Sequence, residues 1–554
     1  MRSDANWQEA DTVSGEQESW TRRAFLVTTA TVTGATALAA CTTQPPSPPG
    51  PTPPPTPPGA PAAPPAALPD AALTVMQGPR YAFSRWYVHV SDRATGAPLQ
   101  ELNADQLVLP ASTTKLWSTA AALDTFGPDF RFETPVYRRG SVEGDELRGD
   151  LVLVARGDLT MGGRDTPQGT IAFTPLDHAE SNALPGATLT PQDPLAGLDD
   201  LARQVAAAGI RRVTGTVVVD ARMFDQTPKD DYILSPIMVN DNLVDLTITP
   251  GPPGGPATVV SRPVTAAYQV RTAVRTVAAD QPATVSVTTP EPGVIAVGGD
   301  IPAAGPLLRT YQVADPPAFA RTLFVEALGR AGVTVAAPAA GPNSADTLPP
   351  VGSYADGDRV ALHRSLPFAE NIKLINKVSM NLQADTLAML IAAKNGRRTL
   401  DEGMALLQPF IRKAGIDPST LSLSDGRGNE YTDLFTPRTV ATLLRYMATR
   451  PDFPTYQASL PIFGVDGTET NVVPAGSPSA GKVAAKSGTT VAGDAMNQRA
   501  LVMTRGNAGY MTSKSGRETV VAAYVMHTPI GAVDEVFGIA QDVGAVVAAL
   551  WEAT

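Results

Sequence analysis

Apolar and polar positions change period several times along the chain, and each change marks an element. From Tyr81 to Val90 (YAFSRWYVHV) the alternation predicts a strand. Residues 112–126 (STTKLWSTAAALDTF) carry apolar side chains at helical spacing, with Ser112 placed as an N-cap. Residues 147–155 and 213–220 read as strands, and 197–209 as a helix stopped by Gly209. From 243 to 300 the chain is rich in Val and Thr with Pro/Gly breaks, which predicts short strands. Helical spacing returns at 316–332, 369–394, 400–414 and 437–449. Two last strands, 499–505 and 517–527, flank a glycine-rich turn region. No fixed period repeats. The middle, about 140–360, reads as mixed α/β insertions. The flanking parts combine helices with an antiparallel sheet.

The first seventy residues break this pattern. An uncharged run from Ala24 to Ala40 follows Arg22-Arg23 and ends Leu38-Ala39-Ala40-Cys41. Basic residues, a modest apolar run and small residues before a cut are the parts of a secretory signal. The paired arginines resemble a twin-arginine signal, and Leu-Ala-Ala-Cys resembles a lipobox, whose cysteine carries lipid. After Cys41, residues 44–70 hold 14 of the chain's 52 prolines. Such a segment cannot form a core and favours polyproline II, at ~3.1 Å per residue. The remaining composition narrows the chemistry. At 554 residues and 43% hydrophobic, the chain can bury a sizeable core. Acidic residues outnumber basic ones, 54 to 43, which argues against nucleic-acid binding. The single cysteine excludes an intramolecular disulfide. His89, His178, His363 and His527 stand far apart in sequence, so no metal site is expected.

Three short motifs carry the candidate chemistry. Ser112-Thr113-Thr114-Lys115 is S-x-x-K at a helix start, and its spacing puts hydroxyl and amine on one face. A serine needs a base to become a nucleophile, and a lysine serves if its pKa falls toward 7–8. Ser379-Met380-Asn381 is S-x-N, a hydroxyl that can relay a proton beside an amide that donates and accepts. Lys486-Ser487-Gly488-Thr489 is K-S-G-T after an apolar stretch that reads as a strand edge. A lysine beside hydroxyls binds a carboxylate, and Gly488 lets a substrate backbone approach. A second Lys514-Ser515-Gly516 sits where a hairpin turn is expected and reads as that turn.

None of the three is diagnostic alone, but their order is. S-x-x-K, S-x-N and K-[ST]-G in sequence resemble the signature of penicillin-binding proteins and serine β-lactamases. The gap from Ser112 to Ser379 leaves room for whole domains. The chain resembles the S13 peptidases, class C type-4 penicillin-binding proteins, over roughly 75–550. The likeness extends to LPASTTKLWSTAAALDTFGPDFRFETPVY, SPIMVNDNLVDLTITPG, NIKLINKVSMNLQADTLAML and AAKSGTT. Three departures stand out. Ser487 replaces a usual threonine. Ala155-Arg156-Gly157-Asp158-Leu159 replaces Gly-Gly-Gly-Asp-Pro. Asp425-Gly426-Arg427-Gly428-Asn429 stands where the family has Asp-Gly-Ser-Gly-Leu, which puts Arg427 in position to alter the mouth of the site.

The resemblance implies an α/β (α+β) penicillin-recognising, β-lactamase-like domain with two nested inserted domains. The expected parts are a twin-arginine-like lipoprotein signal (1–41), a Pro-rich linker (42–72), a catalytic domain (73–138 and 362–554), inserted domain II (139–159 and 240–361) and nested domain III (160–239). It implies a serine D-alanyl-D-alanine carboxypeptidase/endopeptidase that acts on peptidoglycan stem peptides through an acyl-enzyme and is acylated by β-lactams. Ser112, Lys115, Ser379, Asn381 and Lys486 are the expected catalytic residues. Ser487, Gly488 and Thr489 are expected to bind substrate, with no cofactor and no metal. Cys41 is the expected lipidation site of an exported protein, anchored on the outer or periplasmic side of the cytoplasmic membrane. Two other readings stay open at this point. One is a β-lactamase-like hydrolase, opposed by the long gap between the first two motifs. The other is a catalytically silent cell-wall-binding homologue, opposed by retention of every polar motif residue.

Overall fold

The computed structural model of the protein describes residues 65–554, so the expected signal, Cys41 and nearly all of the proline-rich segment lie outside the described residues. The Ala66 amide donates to Leu99 O (2.8 Å), and a helix begins at Asp70 directly after Pro69. The linker expected to reach 72 therefore ends earlier, because Asp70–Met76 buries Ala72 and Met76.

A five-stranded antiparallel sheet organises the part that carries the three motifs, in the order Val483–Asp494, Arg499–Thr512, Glu518–Ile530, Arg85–Asp92, Pro98–Leu102. The strands Arg85–Asp92 and Glu518–Ile530 are buried at consecutive positions because helices cover both faces. One cover is the helix Glu535–Ala553, which the sequence reading missed. Its Ile539, Val543, Val546, Val547 and Leu550 are fully buried, in one cluster with Val88, Val90, Val521 and Val525. It is the one helix among the described residues long and apolar enough to cross a membrane, and burial against the sheet accounts for that composition. The opposite face packs Leu116 and Trp117 of the helix Lys115–Phe126, with residues of Phe368–Lys377, Asn381–Lys394 and Pro437–Ala448.

Glycines misled the reading of the last hairpin. The strand Arg499–Thr512 runs through the supposed glycine-rich turn. A Cβ on Gly506 would lie 2.0 Å from the Tyr524 ring, and one on Gly509 2.2 Å from Ala484 O. These glycines admit close neighbours within a strand. The turn itself lies between Thr512 and Glu518, carries Lys514-Ser515-Gly516 as expected, and has Gly516 at φ +83°.

A second, six-stranded sheet combines Glu133–Glu143, Glu146–Val154, Arg212–Val213, Val217–Asp220, Thr334–Val335 and Arg359–Arg364. Leu198, Leu201, Val205, Leu323, Phe324 and Leu328, from the helices Ala196–Ala207 and Pro316–Arg330, fill its core. The strand expected at 213–220 is broken at Gly215, whose Cβ would meet Asp150 Oδ1 at 2.2 Å. Boundaries expected at 138/139 and 361/362 fall inside hydrogen-bonded strands of this sheet. The junctions of the inserted region therefore lie outside Glu133–Glu143 and Arg359–Arg364. The short strands expected over 243–300 form, and with Leu307–Gln312 beyond them they make two three-stranded sheets.

Candidate active site

Ser112 does not cap a helix. It lies within the 3-10 turn Ala111–Thr114, and the α-helix starts at Lys115. Ala111 sits at φ +46°, a conformation costly for a residue with a Cβ. The turn still keeps the three-residue spacing, and the Lys115 ammonium donates to Ser112 Oγ at 2.7 Å. It also donates to Asn381 Oδ1 (2.7 Å) and to the Arg427 carbonyl (3.1 Å).

The second motif sits at a break. The single helix expected over 369–394 is two, Phe368–Lys377 and Asn381–Lys394, with Ser379 between them at φ +68°. That turn points two neighbouring polar groups at two different lysines. Asn381 meets Lys115, and Ser379 Oγ accepts from Lys486 Nζ at 3.0 Å.

The third motif lies on the outermost strand of the main sheet, where Lys486 pairs with Ala508 and Thr489 with Arg505. Gly488 has a steric reason: a Cβ there would sit 2.3 Å from Pro110 O and 3.1 Å from the Thr113 amide. The strand thus presses directly on the turn that carries Ser112. The Ser487 hydroxyl is shared with Thr468 Oγ1 at 2.9 Å. Three residues absent from the sequence reading support this strand. Buried Glu469 accepts from Arg505 Nη2 (3.2 Å) and Asn507 Nδ2 (2.9 Å), and Arg505 Nη1 donates to Thr489 Oγ1 (3.1 Å). The signal for Arg505 and Asn507 was polarity within the strand Arg499–Thr512, whereas Glu469, on the 3-10 turn Gly467–Glu469, carried none.

Both lysines are fully buried while Ser112, Ser379, Asn381 and Thr489 remain partly exposed. Burial pulls the Lys115 ammonium down to about 8. Asp425 and Asp385 oppose that shift, and Arg427 adds to it. Lys486 is held well below an ordinary lysine, first by burial and then by the charge of Lys115. Glu180, on the turn His178–Glu180, is raised by burial and feels both lysines. The structure therefore brings all three motifs into one cluster, with a base beside a hydroxyl and a second buried lysine one step away.

Arg427 is not at the mouth. Its side chain is 1% exposed, packed beneath the site against the Tyr232 ring with Cζ 4.9 Å from the centroid. The length of the side chain carries it inward from a turn pinned by Asp425.

A second polar cluster adjoins the S-x-N helix, whose Gln383 donates to Asp241. Arg164 bridges Asp177 (2.7 Å) and Asp241 (2.6 Å), and His178 contacts Asp245 through Nδ1 (2.6 Å) and Asp241 through Nε2 (2.8 Å). Burial disfavours a charged His178, but Asp245 and Asp177 overcome it and lift the imidazole to about 10. Both ring N–H groups then donate to carboxylates. The contact of Arg164 with His178 becomes two cations side by side on Asp241. Asp177, His178 and Asp241 lie close enough together to hold a cation, but the Arg164 guanidinium already bridges the two carboxylates. The cluster is an ion-pair network.

A buried lysine paired with a serine at the edge of an antiparallel sheet, with S-x-N and K-S-G closing the cleft, defines a penicillin-recognising serine enzyme of the β-lactamase-like fold. The model of the D-Ala-D-Ala carboxypeptidase 3 (S13) family matches residues 71–533, and the chain belongs to that family. A D-alanyl-D-alanine carboxypeptidase of Actinomadura sp. (strain R39) is 30% identical over 434 residues, 73% of this chain and 72% of that one. The D-alanyl-D-alanine carboxypeptidase DacB of Haemophilus influenzae is 22% identical over 393 residues, 67% of this chain and 72% of that one. The crystal structure of penicillin binding protein 4 (dacB) from Haemophilus influenzae has the same fold. It has a TM-score of 0.65 at 20% identity and covers 87% of this chain and 99% of its own.

Proposed function

We propose that the protein is a serine D-alanyl-D-alanine carboxypeptidase that cleaves peptidoglycan stem peptides through an acyl-enzyme and is acylated by β-lactams. The observation that carries this reading is the fully buried Lys115 amine 2.7 Å from the Ser112 hydroxyl, inside the S13 motif set. As a neutral amine, Lys115 accepts the Ser112 proton while Oγ attacks the carbonyl between two D-alanines. The backbone N–H groups of Ser112 and Thr489 are the oxyanion donors, each worth about 2.7–4 kcal/mol. Ser379, fed by Lys486, hands a proton to the leaving amine, and Asn381 holds a substrate amide and orients Lys115. Water then attacks the ester and frees Ser112.

Lys486, with Thr489 and Ser487 beside it, binds the terminal carboxylate. Its low proton affinity in the free site reflects burial beside Lys115. An arriving carboxylate restores the proton by supplying the missing counter-charge. A peptide ending in D-Ala-D-Ala acid is expected to react at least ~10-fold faster than its amide. Lys486→Ala should lower kcat/KM on the acid by about 30- to 10³-fold, as for loss of one partner of a buried charge pair, and erase the preference. Steady-state assays on both peptides check this, and equal wild-type rates contradict it.

Residues 21–41 support export and lipid anchoring. Two acyl chains on Cys41 give stable membrane attachment where one is marginal, and the proline-rich tether lets the enzyme reach the wall. The Cys41→Ala protein should accumulate as uncleaved precursor or leave the membrane fraction, with its catalysis intact. A mature wild-type N-terminus elsewhere than Cys41, without lipid, contradicts the anchor.

A further inference from the structure

The turn Asp425–Gly428 is wedged beneath the nucleophile. A Cβ on Gly428 would lie 1.9 Å from Ala111 O, and one on Gly426 2.4 Å from Ala384 O. Two fully buried carboxylates fix this turn. Asp425 accepts the amides of Arg427 (3.1 Å), Gly428 and Asn429, and Asp385 accepts the Gly426 amide (2.8 Å) and the Tyr232 hydroxyl (2.9 Å). Asp385 is one helical turn beyond Asn381. The anchoring creates a conflict. Carboxylates this near Lys115 favour its ammonium, whereas a general base must be free amine.

The Arg427 side chain lies among these acids. Nε is 3.3 Å from Asp425 Oδ2 and 3.8 Å from Asp385 Oδ2, Nη1 is paired with Asp231, and Nη2 has no hydrogen-bond partner among the described residues. Its own carbonyl accepts from Lys115 Nζ (3.1 Å). We propose that the Arg427 guanidinium is a built-in counter-charge that stops Asp385 and Asp425 from holding the proton on Lys115, which makes it a positioning residue for the catalytic base. A serine, which the resemblance leads one to expect at this position, carries no such charge. The other titratable groups around the pair are Lys486 and Glu180 toward the cleft, and Lys229, Asp231, Glu430 and Asp433 around the turn. The direction agrees with the charges facing Lys115, where Asp425 and Asp385 raise its proton affinity and Arg427 lowers it. Asp385 itself is pushed up to about 6, by burial first and Asp425 second, so it is ionised over most of the working range.

This inference rests on the catalytic reading, and its test separates the two. The rate of acylation by a fluorescent penicillin is measured from pH 5.5 to 9.5 for the wild type, Arg427→Met, Arg427→Lys and Asp385→Asn. Melting curves and mass mapping of the adduct accompany it. Arg427→Met should move the acid limb up by about one pH unit, so the rate at pH 7 falls about tenfold while the high-pH plateau changes little. Arg427→Lys should restore the wild-type limb, and Asp385→Asn should move it down. A packing role would lower the plateau and leave the limb in place. Superposed limbs for Arg427→Met and Asp385→Asn overturn the inference. Should Arg427→Met fail to fold, Asp385→Asn decides alone, and an unmoved limb there overturns it. Wild-type protein not acylated at Ser112 at any pH overturns the catalytic reading and this inference together.

Discussion

Lys115→Met should retain the fold and lose acylation by about 10²–10⁴-fold, the usual contribution of a positioned general base. The two halves of this expectation have separate causes. Methionine matches the lysine stem in length, so the fully buried site stays filled. At neutral pH the buried amine costs about 3 kcal/mol, because its proton affinity falls from the usual 10.5 to about 8. The variant escapes that cost but forfeits three hydrogen bonds, to Ser112, Asn381 and the Arg427 carbonyl, at about 1 kcal/mol each. Net stability should therefore lie within ~1 kcal/mol of wild type at pH 7. The sign with pH is fixed. A depressed lysine means the unfolded chain binds more protons between about 8 and 10.5, so wild-type stability from this group rises with pH across that window. In catalysis the same value makes wild-type acylation climb about tenfold per pH unit up to about 8 and then level. Rapid-mixing acylation rates against pH, with melts of both proteins, check both halves. A Met variant acylated at wild-type rate contradicts the base assignment.

The cluster of the three motifs was legible in the sequence because the motifs are short and local, and their order is informative. Ser112 and Lys115 share a turn, and Gly488 must be small wherever that turn meets a strand. What stayed hidden depends on tertiary contact. Ser379 at φ +68° breaks a helix that periodicity runs straight through. Gly506 and Gly509 looked like turn residues because a glycine that makes room for Tyr524 or Ala484 cannot be told from one that bends the chain. Arg427 was visible as a departure, but its direction was not: a long cation on a loop ordinarily reaches water, and only the buried Asp385 and Asp425 draw it inward. Glu469 and Arg505 stand 36 residues apart in sequence and meet only because the strand between them folds back.

Ser112→Ala should abolish covalent β-lactam labelling and reduce peptide cleavage by roughly 10⁶-fold, the scale seen when a catalytic nucleophile is removed. The hydroxyl is partly exposed and carries one side-chain contact, to Lys115, so its loss leaves the core untouched. Stability should change by less than ~1 kcal/mol, the net worth of one hydrogen bond. Among the described residues, no neighbouring hydroxyl is placed to substitute. Thr113 Oγ1 donates to Pro110 O (2.7 Å), and Ser379 Oγ faces Lys486 rather than Lys115. A variant that folds and still labels would move the nucleophile elsewhere.

The central claim is that one serine, activated by one buried lysine, forms the acyl-enzyme. Its most direct test is mass mapping of the residue that carries the adduct after the purified protein reacts with a fluorescent penicillin. The account predicts a single stoichiometric adduct on the peptide containing Ser112, absent from the Ser112→Ala protein. An adduct on Ser379, Ser515 or any other residue, or no adduct on a folded wild-type protein, would contradict it.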